Sequence, residues 1–301
     1  MKICVQCSAE ILSKNWQCSV CGYCPDIRNG FPVLAPEFTD GGAFYPVDAH
    51  DRLIKIEQGN FWFVSRNKLL QNLFIRYFPV VNNLKMIEIG CGTGFVLAGL
   101  AERFPSMTLF GADPYLSGLQ YAKKRVPEAE FIQMDAGISP FLEEFDVVGI
   151  FDVLEHIEDD RKVLQEIRKS LKPGGGLLIT VPQHPWLWSS NDVRAGHRRR
   201  YTRKELTTKL KEAGFRIEKI NSFVSLLLPF MIAGRFKAII FPKRNTENIQ
   251  VGLRLPHYVN SIFKLICSLE GYLFNLGMPF RVGGSLVCVA FKSEESNGQT
   301  G

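Results

Sequence analysis

The stretch Lys85-Met-Ile-Glu-Ile-Gly-Cys-Gly-Thr-Gly-Phe95 decides how the chain reads. Met86, Ile87 and Ile89 form a short apolar run of the kind that makes a buried strand. Gly90, Gly92 and Gly94 then break the run before a helical apolar pattern resumes at Phe95. A strand, a glycine turn and a helix make a nucleotide-binding corner, because glycine admits backbone conformations closed to other residues and the helix start offers unpaired amide donors. The spacing separates two ligands. A dinucleotide fingerprint places its third glycine three positions beyond the second, where Phe95 stands, whereas the pattern here is Glu-x-Gly-x-Gly-x-Gly from Glu88 to Gly94.

Downstream, a helix over 95–103 leads through Pro105 to a second strand at 107–112, with Asp113 at its end. Asp113 lies nineteen positions past Gly94, close to the distance at which an acidic residue meets ribose hydroxyls in βαβ nucleotide sites. A carboxylate can accept from both hydroxyls; the alternative role is a cap for the helix that starts near Ser117. A helix over 117–125 and a strand over 130–133 follow, ending in Met134-Asp135-Ala136. A fourth strand, 145–150, runs into Phe151-Asp-Val-Leu-Glu-His-Ile157. Strands alternating with helices predict a parallel sheet whose ligands lie beyond the carboxyl ends of its strands, so Phe151, Asp152 and His156 should border the same crevice as Gly90 and Asp113.

An amphipathic helix over 159–171 is stopped by Lys172-Pro-Gly-Gly-Gly176, and a fifth strand covers 177–181. The loop that follows carries Pro185-Trp-Leu-Trp-Ser189 and Arg198-Arg-Arg-Tyr201, before Thr202 caps a helix with Glu205 three places on. Six basic side chains fall between Arg194 and Lys204. At the ligand edge of a sheet they point to an anionic or sugar-bearing partner, since guanidinium groups bond phosphate or carboxylate in pairs; the alternative is a solvated charged face.

Upstream, Cys4, Cys7, Cys18 and Cys21 form two Cys-x2-Cys pairs with ten residues between them. Each pair can present two thiolates from one tight turn, and two turns complete a tetrahedral zinc site; paired disulfides are the competing reading. Cys24 follows at the same interval and competes with Cys21, which Gly22 favours. A module of this size folds with its metal, and its closed ligand set points to a structural ion. Breakers from Pro25 to Pro46 predict a linker over 26–50. The helical pattern over 60–78 contains Phe61-Trp-Phe-Val-Ser-Arg-Asn67, placed to act either as core or as a lid over the crevice.

The chain has 301 residues, 46% of them hydrophobic, enough for one α/β core with appendages. Its charge of +6, from 36 basic and 30 acidic residues, is too mild an excess to indicate nucleic acid by itself. No charged-then-apolar leader precedes Cys4, so the expected location is cytoplasmic. The apolar run 223–234 is too short to span a bilayer; it reads as a buried lid helix, with peripheral contact at the inner membrane surface as the alternative. A strand over 216–220, an exposed loop over 244–252, a helix over 256–276, a last strand over 285–291 and a disordered tail over 293–301 complete the pattern. The expected boundaries are a zinc-ribbon-like module 1–25, linker 26–50, core 51–222, and helical lid with last strand 223–292.

The Glu88–Gly94 pattern resembles motif I of the class I S-adenosylmethionine-dependent methyltransferases, and motif matches cover roughly 84–222. A closer resemblance is to bacterial methyltransferases associated with glycosyl transfer and cell-surface glycan assembly. It rests on Phe61 to Asn67, on Pro185 to Tyr201 and on Met278-Pro-Phe-Arg281 with Gly283-Gly-Ser-Leu286; many members of that group lack the cysteine module. The resemblance implies a Rossmann-like seven-stranded α/β sheet with helices on both faces. It implies S-adenosylmethionine as cofactor, held by Glu88, Gly90, Cys91, Gly92, Gly94, Asp113, Pro114, Asp135, Ala136, Phe151 and Asp152, with Asp135 accepting from the adenine amine. The implied reaction is methyl transfer to a small-molecule, glycan or lipid-linked acceptor, with oxygen as the expected atom. A hydroxyl acceptor needs a base, for which His156 and His197 are candidates, with Asp192 or no base as alternatives. Two rivals remain: an RNA methyltransferase, and a binding module that keeps the fold without turnover. Against the first, the fourth strand ends in Phe-Asp-Val-Leu-Glu-His instead of the Asn/Asp-Pro-Pro-aromatic sequence usual for enzymes acting on exocyclic base amines.

Overall fold

The computed structural model describes residues 1–13, 15–38, 48–78, 83–240 and 255–293, the side chains of 236–240 excepted. The strands are β1 (Asp26–Arg28), β2 (Phe31–Val33), β3 (Lys85–Ile89), β4 (Thr108–Asp113), β5 (Glu130–Gln133), β6 (Phe145–Phe151), β7 (Leu171–Pro182), β8 (Phe215–Phe223) and β9 (Ser285–Lys292). They form one mixed sheet in the order β1-β2-β5-β4-β3-β6-β7-β9-β8. The strands from β3 to β7 are parallel to their neighbours, and β9 runs antiparallel to both β7 and β8.

Nine strands among the described residues correct the expected seven. The extra two come from the stretch read as a linker. Asp26–Arg28 and Phe31–Val33 pair antiparallel, with Asn29 and Gly30 at positive φ between them, and Val33 pairs parallel with Gln133 of β5. The Gln133 amide then fixes the chain beyond the hairpin, accepting from Ala35 N at 3.0 Å and donating to Ala35 O at 2.6 Å.

Alternation along the strands divides the core in two. On one face Ile87, Ile89, Phe110, Val148 and Ile150 pack with helices α5 (Asp160–Ser170) and α7 (Arg203–Glu212). On the other, Met86, Leu109, Phe131 and Val147 pack with α2 (Phe61–Tyr77), α3 (Phe95–Arg103), α4 (Leu116–Arg125) and α9 (His257–Asn275). The N-terminal module joins the first face: Trp16 meets Phe141 edge-on at 5.8 Å, Lys2 lies 4.5 Å over the Trp16 ring, and Ile3 N donates to Pro140 O.

The apolar run 223–234 divides. Phe223, Val224, Leu227 and Leu228 are buried, while Phe230, in helix α8 (Leu228–Ile240), is exposed. Pro229 sits in the first turn, where its missing amide costs no helical bond. No helix among the described residues is long and apolar enough to cross a membrane. The loop expected over 244–252 and the tail from 294 lie outside the described residues.

Candidate functional site

Chain order reverses at β3: β4 and β5 lie on one side, β6 and β7 on the other, so a crevice opens beyond the carboxyl end of β3. The register Ile89↔Ala112 and Ile89↔Ile150 brings Gly90, Asp113 and Phe151 to one level at the strand tips. Gly90, Gly92 and Gly94 all take positive φ, which places the start of α3 against the crevice. The backbone at Gly92 faces open space, for a Cβ built there meets nothing within 4 Å.

Asp113 is buried and preset. One carboxylate oxygen accepts from Gly92 N at 2.8 Å and the other from Tyr115 N at 2.9 Å, which fixes the carboxylate at the strand tip. Pro114 accepts from Gln133 Nε2 at 2.8 Å, and Asp135 turns one oxygen to Gly137 N at 2.9 Å. The side chains of Cys91, Ala136 and Phe151 are packed in the two cores, so for these residues burial limits ligand contact largely to the backbone.

Glu88 is 3% exposed and its Oε2 has no hydrogen-bond partner among the described residues. Burial pushes its carboxyl up to about 8, with the Arg66 charge opposing and the Asp113 charge adding. Arg66 was not singled out from the sequence. It projects from α2, pairs with Asp152 and lies between the rings of Trp62 and Phe63 at 5.8 and 5.7 Å. The lid reading of 61–67 is thereby revised: these residues start a packed helix, pinned by Asn67 Nδ2 donating to Phe95 O at 3.0 Å and by Asn260 of α9 accepting from Phe61 N at 2.8 Å. Asp152 itself holds φ of 56°, a conformation that non-glycine residues keep only where their surroundings enforce it.

A second support comes from α1 (Ala49–Glu57). The buried Glu57 accepts from Thr93 Oγ1 at 2.7 Å and from Arg125 at 2.6 Å, clamping the glycine turn, while His50 Nδ1 meets Ser117 Oγ at 2.8 Å. Glu57 and Arg125 stand 68 residues apart, so sequence spacing gave no sign of the clamp.

The two candidate bases lie side by side. The rings of His156 and His197 lie edge-on with centroids 4.8 Å apart. Burial, then the His197 charge, hold His156 down to about 4. Glu155, one position before His156, is fully buried, and neither of its oxygens has a hydrogen-bond partner among the described residues. Burial and then the Asp152 charge push it well above the usual carboxylate range. Asp192 is buried at the start of α6 (Ser190–Arg194), bonded to His197 Nδ1 at 3.0 Å, Arg200 Nε at 2.7 Å and Ser189 N at 2.8 Å. Burial would raise its carboxyl, but the His197 and Arg200 bonds outweigh that and hold it below the usual carboxylate range. So low a value makes Asp192 a poor base and an orienting group for His197.

The basic loop is corrected. Arg198 pairs with Glu158 at 3.1 Å, Arg199 with Asp160 at 3.1 Å and Arg200 with Asp192; Arg203 donates to the carbonyls of Ile220 and Phe280. These guanidinium groups hold the loop together. A cleft of about 490 Å³ lies past the end of β7 and alongside β8, its walls made by the apolar Ile220, Pro279 and Phe280 and the polar Gln183, His184, Arg203 and Arg281.

At the N-terminus, the ligand-capable sulfurs of Cys4, Cys7, Cys18 and Cys21 lie within 4.8 Å of one another, with Cys4···Cys21 and Cys7···Cys18 both at 3.6 Å. That is far beyond a disulfide and close to the roughly 3.8 Å edge of a tetrahedral zinc–thiolate site. Cys24 points away, its sulfur near Asn15 O and Pro25 O, so Cys21 completes the cluster.

A parallel sheet with a glycine turn at its switch point and a preset carboxylate at the next strand tip defines a Rossmann-like fold built to receive a nucleoside. The chain belongs to the methyltransferase-domain family, whose model matches residues 63–220. It is similar to the trans-aconitate 2-methyltransferase of Azoarcus sp. strain BH72, at 28% identity over 120 residues, 40% of this chain and 47% of that one. The demethylmenaquinone methyltransferase of Thermotoga maritima is 35% identical over 100 residues, 33% and 44% of the two chains. The ubiquinone biosynthesis O-methyltransferase of Hydrogenovibrio crunogenus is 27% identical over 131 residues, 42% and 54%. The chain thus spans about half the length of these curated relatives. Among solved structures, phosphoethanolamine N-methyltransferase 2 of Haemonchus contortus with S-adenosyl-L-methionine shares the fold, with TM-score 0.52 and 23% identity over 74% of this chain and 52% of that one.

Proposed function

We propose that the chain transfers a methyl group from S-adenosylmethionine to an oxygen of a small-molecule, glycan or lipid-linked acceptor. The observation that carries this reading is the crevice beyond β3, where open space over Gly92 adjoins the preset Asp113 and the unpartnered oxygen of Glu88. A nucleoside with a cationic amino-acid arm fits those groups: Asp113 and Asp135 suit the ribose and the adenine amine, and Glu88 suits the positive arm. When bound, the cofactor supplies a methyl group activated on sulfonium, so the protein's task is alignment and exclusion of water. Arg66 holds Asp152 at the rim, Glu57 clamps the turn, and His156 and His197 stand ready to take a proton from an acceptor hydroxyl. Oxygen as acceptor atom is supported by these proton-accepting groups and by a relative named as an O-methyltransferase.

An acceptor with both apolar and polar parts is supported by the cleft alongside β8, where Gln183, His184 and Arg281 stand among apolar walls. The lipid-linked class is supported by the exposed apolar face of α9, where Tyr258, Ile262, Leu265, Leu269 and Tyr272 recur at helical spacing. Internal pairing of Arg198, Arg199 and Arg200 removes much of the case for RNA. The test is transfer of labelled methyl from S-adenosylmethionine into a cell extract, then separated into lipid, glycan, small-molecule and nucleic acid fractions. Label in one of the first three is expected. Label in RNA would replace this acceptor reading, and cofactor binding without transfer would favour the non-catalytic one.

We also propose that Cys4, Cys7, Cys18 and Cys21 hold one structural zinc, since the sulfur separations suit that ion and the module joins the core through Trp16. Elemental analysis is expected to give one zinc per chain. Cys18→Ser should lose it, along with part of the roughly 10–16 kcal/mol that zinc supplies to isolated modules of this kind, read as protease cleavage within residues 1–25. Zinc-free protein with this segment intact would refute the assignment.

A further inference from the structure

We propose that Glu155, His156 and His197 bind one divalent metal ion at the acceptor side of the crevice, separate from the four-cysteine cluster. Their ligand-capable atoms lie within 4.8 Å of one another. Ligands about 2.0 to 2.2 Å from a common ion stand roughly 3 to 4 Å apart, so the widest separation has to close by roughly 1 Å or a little more. One carboxylate and two imidazoles suit a first-row divalent ion such as manganese, iron or zinc.

Two further observations point to a cation here. Glu155 is 0% exposed and neither oxygen has a hydrogen-bond partner among the described residues; the charges of Arg66 and Arg200 reach it without bonding it, so its oxygens are open to a cation. His197 is oriented as a ligand. Asp192 Oδ1 takes the Nδ1 hydrogen at 3.0 Å and is itself held by Arg200 and Ser189. This leaves the Nε2 lone pair 3.9 Å from Glu155 Oε1, two acceptors facing each other with room for a positive charge between them. A ligand histidine whose other nitrogen donates to a carboxylate is the usual outer arrangement of metal sites. Asp152, nearby in sequence, already has its cation in Arg66 and is not counted among the ligands.

The ion's task rests on the methyl-transfer reading; its binding does not. With the ion bound, His156 and His197 would serve as ligands in place of bases, and an acceptor hydroxyl on the ion would give its proton to solvent more readily. Its oxygen then bonds the methyl carbon as the carbon–sulfur bond breaks, the electron pair staying on sulfur.

Manganese(II) binding to the full chain, read from the electron paramagnetic resonance signal of the free ion, tests the site. Manganese prefers nitrogen and oxygen to thiolates, so the cysteine cluster competes little. One site per chain is expected, weakened at least about tenfold in both Glu155→Gln and His197→Asn, the order of loss typical when a metal site is disturbed. The exposed Glu158→Gln should bind as the wild type does. Calorimetric affinity for S-adenosylmethionine checks that the variants are folded and tests the cofactor reading separately. Absence of manganese binding by the wild type, or equal binding by all variants, overturns the proposal. So does a His197 titration that shifts in Glu155→Gln with no metal bound, which would make a proton the occupant.

Discussion

Gly90→Ala is expected to lose cofactor binding and much of the fold's stability together, whereas Gly92→Ala should lose binding at a clearly smaller cost in stability. Both residues hold positive φ, 72° at Gly90 and 49° at Gly92, so either substitution strains the backbone by about 1–2 kcal/mol. The surroundings then separate them. A Cβ at Gly90 would stand 2.3 Å from Val153 Cγ2 and 2.9 Å from Cγ1, and Val153 links Asp152 to the turn that carries Glu155 and His156. Relief requires that segment to move, and overpacking of this kind adds about 1–3 kcal/mol. A Cβ at Gly92 meets no atom of the chain within 4 Å, so its methyl would occupy the space assigned to the cofactor. A loss there of about 3 kcal/mol corresponds to roughly 100-fold in affinity. Thermal unfolding and calorimetry with S-adenosylmethionine on both variants provide the check. Unchanged affinity in Gly92→Ala would remove the cofactor from this turn.

What the sequence made legible is what depends on near neighbours. The glycine turn follows from backbone conformations that only glycine adopts easily, and the strands around it follow from period and from breakers. The four-cysteine cluster is visible because each ligand pair lies within one turn, and only the choice between Cys21 and Cys24 needed coordinates. The N-terminal hairpin was hidden because Gly30 and Pro32 read as breakers, while the partner that makes Val33 a strand residue is Gln133, a hundred positions on. Arg66 and Glu57 escaped for the same reason, since their partners Asp152 and Arg125 are 86 and 68 residues away. The arginine-rich loop was misleading in the opposite sense. Its charges were plain, but the carboxylates that neutralise them sit on other elements, and a basic stretch seen alone looks free for a ligand.

That neutralisation makes Asp160 the residue whose loss should cost most in stability. Asp160 opens α5 with 3% exposure, yet three groups from the loop and α7 converge on its Oδ2. Tyr201 Oη donates at 2.8 Å, Arg199 Nη1 at 3.1 Å, and the ammonium of the nearly buried Lys209 completes the set. Asp160→Ala takes the shared buried carboxylate from Lys209 and Tyr201, although Lys209 retains Glu205 at 2.9 Å and Tyr201 a bond of 3.3 Å to Leu154 O. Removing one partner of such a buried pair costs about 3–5 kcal/mol. Burial alone would raise the Asp160 carboxyl, but the Lys209 and Tyr201 bonds and the Lys209 and Arg199 charges hold it below its ordinary value of 3.8. The sign follows from that direction: its stabilisation is present above the unfolded value and fades as pH falls through the lower folded one. Urea titrations at pH 7 and near pH 3 should therefore show a large deficit for Asp160→Ala at neutrality and a smaller one in acid. The same variant should misplace His197, because Arg199, Arg200 and Tyr201 continue the chain that holds it, and transfer activity should fall even where the fold survives. Equal stability of Asp160→Ala and wild type at pH 7 would mean that the loop is anchored elsewhere.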